Sequence, residues 1–396
     1  LRYPRLVLDL AAGAIRATVA GPVDALPWLG PFLRSPAAAR EPLRRAADRA
    51  RALIEGEIVP AFTAFADVVG GPLAEGARET LACTDAPLGR EYYRAVVHAF
   101  TTTDLTPEQI HELGLAEVDR LAAAITTIAA EAGYAGDVAG YRKHLAGAAF
   151  FAPTKEALFD QLAVIAKRID ARIPAFFNRI PRMTYGLELM PEAVAARMPP
   201  AYAQPNPADR STAGIFWVTS LPERCPSSLH VPLVLHEAWP GHLMHLALLQ
   251  EAKDLPAFRR HGALRYQVFI EGWALYCEGL GAEMGVYREP HQHYGRLDSE
   301  LWRALRLVVD TGIHWYGWSR ERAVETMAQH LALPRPTIEA EVDRYISWPG
   351  QALAYQLGNL EIRALRGVRR VLSDSGAPEV LRVDAEDAAA LTRWLR

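Results

Sequence analysis

The segment His236-Glu237-Ala238-Trp239-Pro240-Gly241-His242 cannot continue as a regular helix, although the apolar run Val231-Pro232-Leu233-Val234-Leu235 leads into it. Pro240 has no N–H to give the carbonyl of His236, and its ring crowds that turn. Gly241 tolerates whatever dihedrals follow. In an unbroken helix, at about 100° per residue, the rings of His236 and His242 would point roughly 120° apart. A kink or π-bulge at Pro240 would bring them back to one face.

Two imidazoles on one face, with a Glu beside the first, suit amide hydrolysis by metal-activated water. Two His and one carboxylate hold Zn²⁺ with a fourth position open, and a neighbouring Glu that is not a ligand takes the proton of the water. The usual His-Glu-x-x-His spacing is i, i+4 on a helix; here it is expanded by two residues. A His-Glu pair before Pro-Gly is also an ordinary helix end, so a third ligand decides. Glu271 supplies the candidate, inside the apolar stretch Phe269-Ile270-Glu271-Gly272-Trp273-Ala274-Leu275-Tyr276-Cys277-Glu278. An acid there is costly to bury unless it is paired or binds a metal. Glu278, two turns further on, either holds a ligand His from behind or meets solvent. His245, three residues past His242, is the alternative second imidazole.

These motifs, followed by Arg306-Leu307-Val308-Val309-Asp310-Thr311-Gly312-Ile313-His314 and by Pro349-Gly350-Gln351-Ala352-Leu353-Ala354-Tyr355, resemble the bacterial family called domain of unknown function 885. The likeness runs from Pro87 to Gly358. That family resembles the zincin-like metallopeptidases, and Glu-Gly-Trp-Ala is similar to the Glu-Gly-Phe-Ala by which zinc aminopeptidases supply a carboxylate ligand. The resemblance implies a mainly α, zincin-like fold with a small β element near the active-site helix. It also implies one divalent ion, zinc first, held by His236, His242 and Glu271, with Glu237 as general base. In zincin-like enzymes a strand upstream of the His helix pairs with the substrate backbone, a role that falls to Ile215 to Thr219 and so to Phe216 and Trp217. The other reading of that strand is a hairpin packed under the metal helix.

Asp310 and His314 share a helical face at i, i+4. They are either a surface pair at a helix end or functional, with His314 donating to the oxyanion. Thr311-Gly312 between them suggests a close approach. Arg303 and Arg306 either clamp a substrate carboxylate or pair with Glu300. Tyr345 and Tyr355 flank Pro349-Gly350-Gln351; either phenol is a second oxyanion donor or a buried aromatic, and Gln351 lies within reach of substrate between them.

The rest of the chain reads as helical scaffold. Thr106-Pro107-Glu108-Gln109 is a capping box with Pro in the first turn, followed by a stripe of Ile110, Leu113, Val118, Leu121, Ile125 and Ile128. A second stripe after Thr154 runs through Leu158, Leu162, Ile165, Ile169 and Ile173. His111 and His144 read as ordinary helix residues. Segments around Ala37 to Val69 are helix-compatible, residues 174–232 are punctuated by proline and partly extended, Gly214 to Thr219 reads as a strand, and Pro334 to Pro336 marks a turn before a helix starting near Thr337. Residues 1–105 are expected to form an N-terminal helical region and 106–396 the catalytic region, with no sharp boundary. The chain starts at Leu1, so truncation of the first region stays open.

With 396 residues and a net charge of −3 of mixed signs, the chain has no electrostatic footprint for nucleic acid or an anionic membrane. No apolar run of about 18 residues marks a membrane span. Leu1 to Ala20, interrupted by Asp9 and Arg16, lacks a signal-peptide core. The three cysteines, Cys83, Cys225 and Cys277, show neither a disulfide framework nor a CxxC site. A cytoplasmic location is expected, with a small peptide or amino-acyl compound as substrate and the oligomeric state open. The expected activity is that of a metallopeptidase or amidase. Its rivals are a non-catalytic peptide-binding protein of the same fold and a His₂-carboxylate enzyme of non-hydrolytic chemistry.

Overall fold

The computed structural model describes residues 2–33, 40–195, 198–207, 209, 211–262 and 265–372. Helices dominate, and one three-stranded sheet interrupts them. The helix Pro107–Glu131 opens as its sequence dictates: Thr106 Oγ1 accepts from Gln109 N–H at 3.3 Å and Gln109 Oε1 accepts from Thr106 N–H at 2.9 Å. Its stripe buries Ile110, Val118, Leu121 and Ile125 completely. This face packs along the Pro290–His314 helix, the central pillar of the molecule, which is buried almost continuously from Ala304 to His314. Lys155–Asp170 is capped by Thr154 and buries Leu158, Leu162 and Ile169. Ile173 of the same stripe falls in a separate short helix, Ile173–Phe176.

Within the proline-rich stretch, β1 (Tyr185–Leu189), β2 (Ala201–Gln204) and β3 (Gly214–Val218) form the sheet in the order β1-β3-β2. β3 is central: Phe216 faces Leu187 of parallel β1 and Ala203 of antiparallel β2. Side chains alternate between faces along a strand, so Gly214, Phe216 and Val218 are buried while Ile215 and Trp217 keep surface. The buried face clusters with Val231, Val234 and Leu235 of the helix Ser227–Glu237 and with Ala238 just past it. β3 thus packs against the helix that carries His236, as one of its two readings expects. Pro336 lies inside the first turn of the helix Arg335–Ser347, which starts two residues before the expected Thr337, because proline is tolerated there.

Segment 41–73 is helical apart from π-helical turns at Ile54–Ile58 and Val69–Leu73. Residue 105 does not mark a break in packing. Cys83, Tyr93 and Val97 share one cluster with Ile110, Leu307, Trp315, Leu353 and Leu357. All three cysteines are free and buried. Among the described residues no helix is long and apolar enough to cross a membrane.

The helix Gln267–Glu283, which carries Glu271, crosses the helix Ala354–Leu372 at two glycines. A Cβ on Gly272 would sit 2.4 Å from the Cα of Gly358, and one on Gly358 would sit 2.1 Å from the carbonyl oxygen of Val268. Backbone lies against backbone there, with no flexible side chain to give way. Gly272→Ala is therefore expected to cost about 1–3 kcal/mol, the range for overpacked interiors, in urea unfolding; wild-type stability would show that the crossing is looser than described.

Candidate metal centre

The helix Ser227–Glu237 stops at the second motif residue, and a new helix, His242–Glu251, begins at the second His. The chain thus breaks outright at Pro240 where a kink or bulge was expected. Gly241 is required by closeness: a Cβ there would lie 1.9 Å from the carbonyl oxygen of His236 and 2.4 Å from that of Leu235. The turn folds back on the preceding helix end, and the rings of His236 and His242 meet edge to face with centroids 4.8 Å apart.

Glu271 arrives from the facing helix. Its Oε2 lies 3.6 Å from Nε2 of His236 and 3.6 Å from Nε2 of His242, and one ligand atom from each of the three residues lies within 4.8 Å of the others. Bonds of 2.0–2.1 Å to a tetrahedral ion would set ligand atoms about 3.4 Å apart, so the triangle fits one small divalent cation. Behind it, Nδ1–H of His236 donates to Oε1 of Glu278 at 2.8 Å, and Glu278 is 2 % exposed. That bond orients the ring and turns Nε2 toward Glu271. Of the two expectations for Glu278, the structure shows the partner of His236. His245 stays apart: both its nitrogens are buried without partners, against Phe269 at 4.4 Å and Trp273 at 5.8 Å between ring centroids.

The electrostatics favour positive charge at this point. Burial alone would lower the pKa of His236, but Glu271 and Glu278 outweigh it and push it up to about 10. Burial would raise Glu271, yet its contacts with His236 and His242 hold it well below the usual carboxylate range. Glu237, next in sequence, is raised by burial, against the opposing pull of His236 and His242. The backbone N–H of Ala203 in β2 faces its carboxylate and favours the ionised form. Tyr355 keeps some surface. Burial and then the charge of Glu271 raise its phenol, and its ring lies 4.5 Å from the Arg306 guanidinium.

Several other expected site residues serve the fold. His314 is fully buried; Nδ1 accepts from Cys83 N–H at 3.2 Å and Nε2–H donates to the Tyr345 carbonyl at 2.9 Å. With both nitrogens engaged, it has no donor for an oxyanion. Asp310 is fully buried and is not the surface residue that one of its two readings expects. It accepts from Tyr93 Oη–H at 2.6 Å and, on both oxygens, from Gly350 N–H at 3.1 Å. The close approach at Gly312 is that of the Trp318 ring. Phe216 is core, and Trp217, on the opposite face of β3, donates to Gln204 Oε1 at 2.8 Å. Neither faces the cluster. Tyr345 is not a free donor: its hydroxyl donates to Glu341 at 2.8 Å and accepts from Arg306 Nε–H at 3.1 Å. Glu300 is taken by Arg120, Arg296 and Arg363, leaving Arg303 and Arg306 other roles. Gln351 bridges Arg344, at 2.6 Å, and Gln267, at 2.5 Å. Ala203, Gln267 and Arg344 went unnoticed in the sequence. Only Gln267 left a trace there, one helical turn before Glu271.

The sequence model of the family described as "Bacterial protein of unknown function (DUF885)" matches residues 1–371. No curated protein matches the chain. Among solved structures, the "putative lipoprotein from Colwellia psychrerythraea" superposes with a TM-score of 0.87 at 29% identity, over 93% of this chain and 65% of that one. The present chain therefore spans just under two thirds of that protein. A "putative lipoprotein of unknown function from Shewanella oneidensis" superposes at 0.68 with 16% identity, over 96% of this chain and 69% of the other, a likeness of fold.

The position of His314 makes a prediction that separates scaffold from chemistry. His314→Ala leaves the Cys83 N–H and the Tyr345 carbonyl buried and unpaired, which should cost about 3 kcal/mol in urea unfolding. An unchanged unfolding midpoint would contradict the scaffold role.

Proposed function

This chain belongs to the bacterial DUF885 family, and from the geometry of its site we propose that it is a zincin-type, zinc-dependent metallohydrolase cleaving a peptide or amino-acyl amide bond. The observation that carries the reading is the triangle of His236, His242 and Glu271, with Glu278 behind it and Glu237 beside it. A structural ion pair would need neither two neutral-capable imidazoles on one carboxylate oxygen nor a further acid at the rim.

When bound, zinc polarises the scissile carbonyl and lowers the pKa of a water molecule. Glu278 holds the His236 ring in the tautomer that offers Nε2. Glu237 takes the proton of the attacking water and passes it to the leaving amine. Tyr355 takes over the role first expected of His314, donating its phenolic hydrogen to the oxyanion. Substrate docking also moves from the expected strand. β3 has both edges paired, whereas β2 is an edge strand whose Ala203 N–H looks at Glu237. An extended peptide would add to β2 by main-chain hydrogen bonds.

Glu237 favours hydrolysis over a binding protein and over redox use of the same ligands, since neither needs a base there. A cytoplasmic location remains our expectation for this chain. The names of the Colwellia and Shewanella proteins point to a lipid-anchored alternative, and cell fractionation distinguishes the two.

Elemental analysis should find about one zinc per chain in wild type and in Glu237→Gln, and little in His242→Ala. In a screen of short peptides, Glu237→Gln should lower turnover by on the order of 10² to 10⁴. Full metal in His242→Ala, or wild-type turnover in Glu237→Gln, would refute the proposal. Tight peptide binding without cleavage by the wild type would favour the binding protein.

A further inference from the structure

Around Glu341 the structure gathers more guanidinium groups than carboxylates to pair with them. Arg306, 5 % exposed, donates from Nη2 to Glu341 Oε2 at 3.2 Å, and Arg344 donates from Nη2 to the same oxygen at 3.0 Å. Two guanidinium groups thus share one carboxylate oxygen. Arg303, one turn before Arg306, bonds only Ser299, through its hydroxyl at 2.8 Å and its carbonyl at 3.1 Å. Among the described residues Arg303 forms no ion pair; Asp298, the acid its charge acts on, is bridged by Arg142 at 3.7 Å. Asp310, the other acid that interacts with Arg344, has its oxygens taken by Tyr93 and Gly350. Glu341 is held well below the usual carboxylate range: burial opposes ionisation, but Arg306 and Arg344 prevail, so it stays an anion.

The unmet hydrogen-bonding capacity lies in the same place. Nη1 of Arg306 and Nε of Arg303 are buried without any partner. Their guanidinium groups lie over the Trp302 ring, 4.9 Å and 5.0 Å from its centroid, and Arg306 also lies 4.5 Å from the centroid of Tyr355. Leaving buried cationic donors unpaired is costly. A planar carboxylate is the anion whose two oxygens match such a fork.

The cluster also connects to the cleavage site. Gln267 stands one helical turn before Glu271 and accepts from Gln351, which accepts in turn from Arg344. Tyr355, Arg344 and Arg303 all keep part of their surface, and the Tyr355 ring touches the Arg306 guanidinium.

We propose that Arg303, Arg306 and Arg344 form a subsite for a substrate carboxylate, so that the preferred substrates are short peptides or acyl-amino acids carrying a carboxylate next to the scissile bond. This rests on reading the neighbouring cluster as a hydrolase site, but the subsite is tested by binding alone.

The test uses the full chain, once zinc-loaded and once stripped with chelator, and three probes: acetyl-Ala-Leu with a free C-terminal carboxylate, its C-terminal amide, and acetyl-Ala-Glu amide. Calorimetry should show the free acid binding about 10- to 100-fold more tightly than its amide, the range for a charge-assisted hydrogen bond. Arg344→Gln, at a partly exposed position, should remove that difference while leaving the affinity of the amide and the zinc content unchanged. Acetyl-Ala-Glu amide binding like the free acid would assign the carboxylate to an acidic side chain; binding like the amide would assign it to the C-terminus. Equal affinity for the free acid and both amides, or no binding of any probe at millimolar concentration, overturns the subsite. A preference shown by a wild type that takes up no zinc on reloading would keep the subsite and refute the metallohydrolase instead.

Discussion

A carboxylate placed in the middle of an apolar helix has to be compensated, and the compensation of Glu271 organises the site. Desolvating a lone carboxylate costs several kcal/mol. Here the cost is met by the imidazoles of His236 and His242, each 3.6 Å from the same oxygen. For both rings to reach one atom, the chain must break between them, and Pro240 with Gly241 makes the break. For the Glu271 helix to come close enough, its glycine must lie against the glycine of the C-terminal helix. Glu278 then needs its own partner and finds it in Nδ1 of His236. Each demand is local, and together they leave little freedom in how the His helix, the Glu271 helix and the C-terminal helix meet.

The sheet and the central pillar support this arrangement in different ways. β3 anchors the His helix through Phe216 and Val218, leaving β2 as the free edge beside Glu237. The Pro290–His314 pillar holds the other wall through a buried polar network. His314 ties Cys83 to Tyr345, Asp310 ties Tyr93 to Gly350, and Arg306 ties Tyr345 to Glu341. Polar groups tied in this way make a rigid wall, in which Nη1 of Arg306 is left without a partner. Tyr355, in the first turn of the helix Ala354–Leu372, sets its ring 4.5 Å from the guanidinium of Arg306 on that wall.

Features governed by local rules were legible in the chain. The capping box at Thr106, the stripe from Ile110 to Ile125 and the disruption at Pro240 depend on neighbours three to six residues away, and the structure contains all of them. The grouping of His236, His242 and Glu271 was legible because buried-looking acids and imidazoles have few stable uses. Roles that depend on tertiary surroundings were misread. Asp310 and His314 look like a functional pair until Tyr93 and Cys83, more than 200 residues earlier, arrive to occupy them. β1 and β2 were missed as separate strands because Tyr185–Leu189 and Ala201–Gln204 are short and carry no β-branched residues. Without β2, the central strand was read as an open edge, though both its edges are paired. The surplus of arginine over acid around Glu341 shows only when Arg303, Arg306 and Arg344 are placed side by side.

The central claim is that His236, His242 and Glu271 together hold a single ion. Zinc K-edge X-ray absorption on the loaded protein addresses it most directly. The geometry predicts a shell of nitrogen and oxygen scatterers at about 2.0–2.1 Å, with the outer-shell signature of two imidazoles and no sulfur. A shell containing sulfur at about 2.3 Å, or one with fewer than two imidazoles, would contradict it.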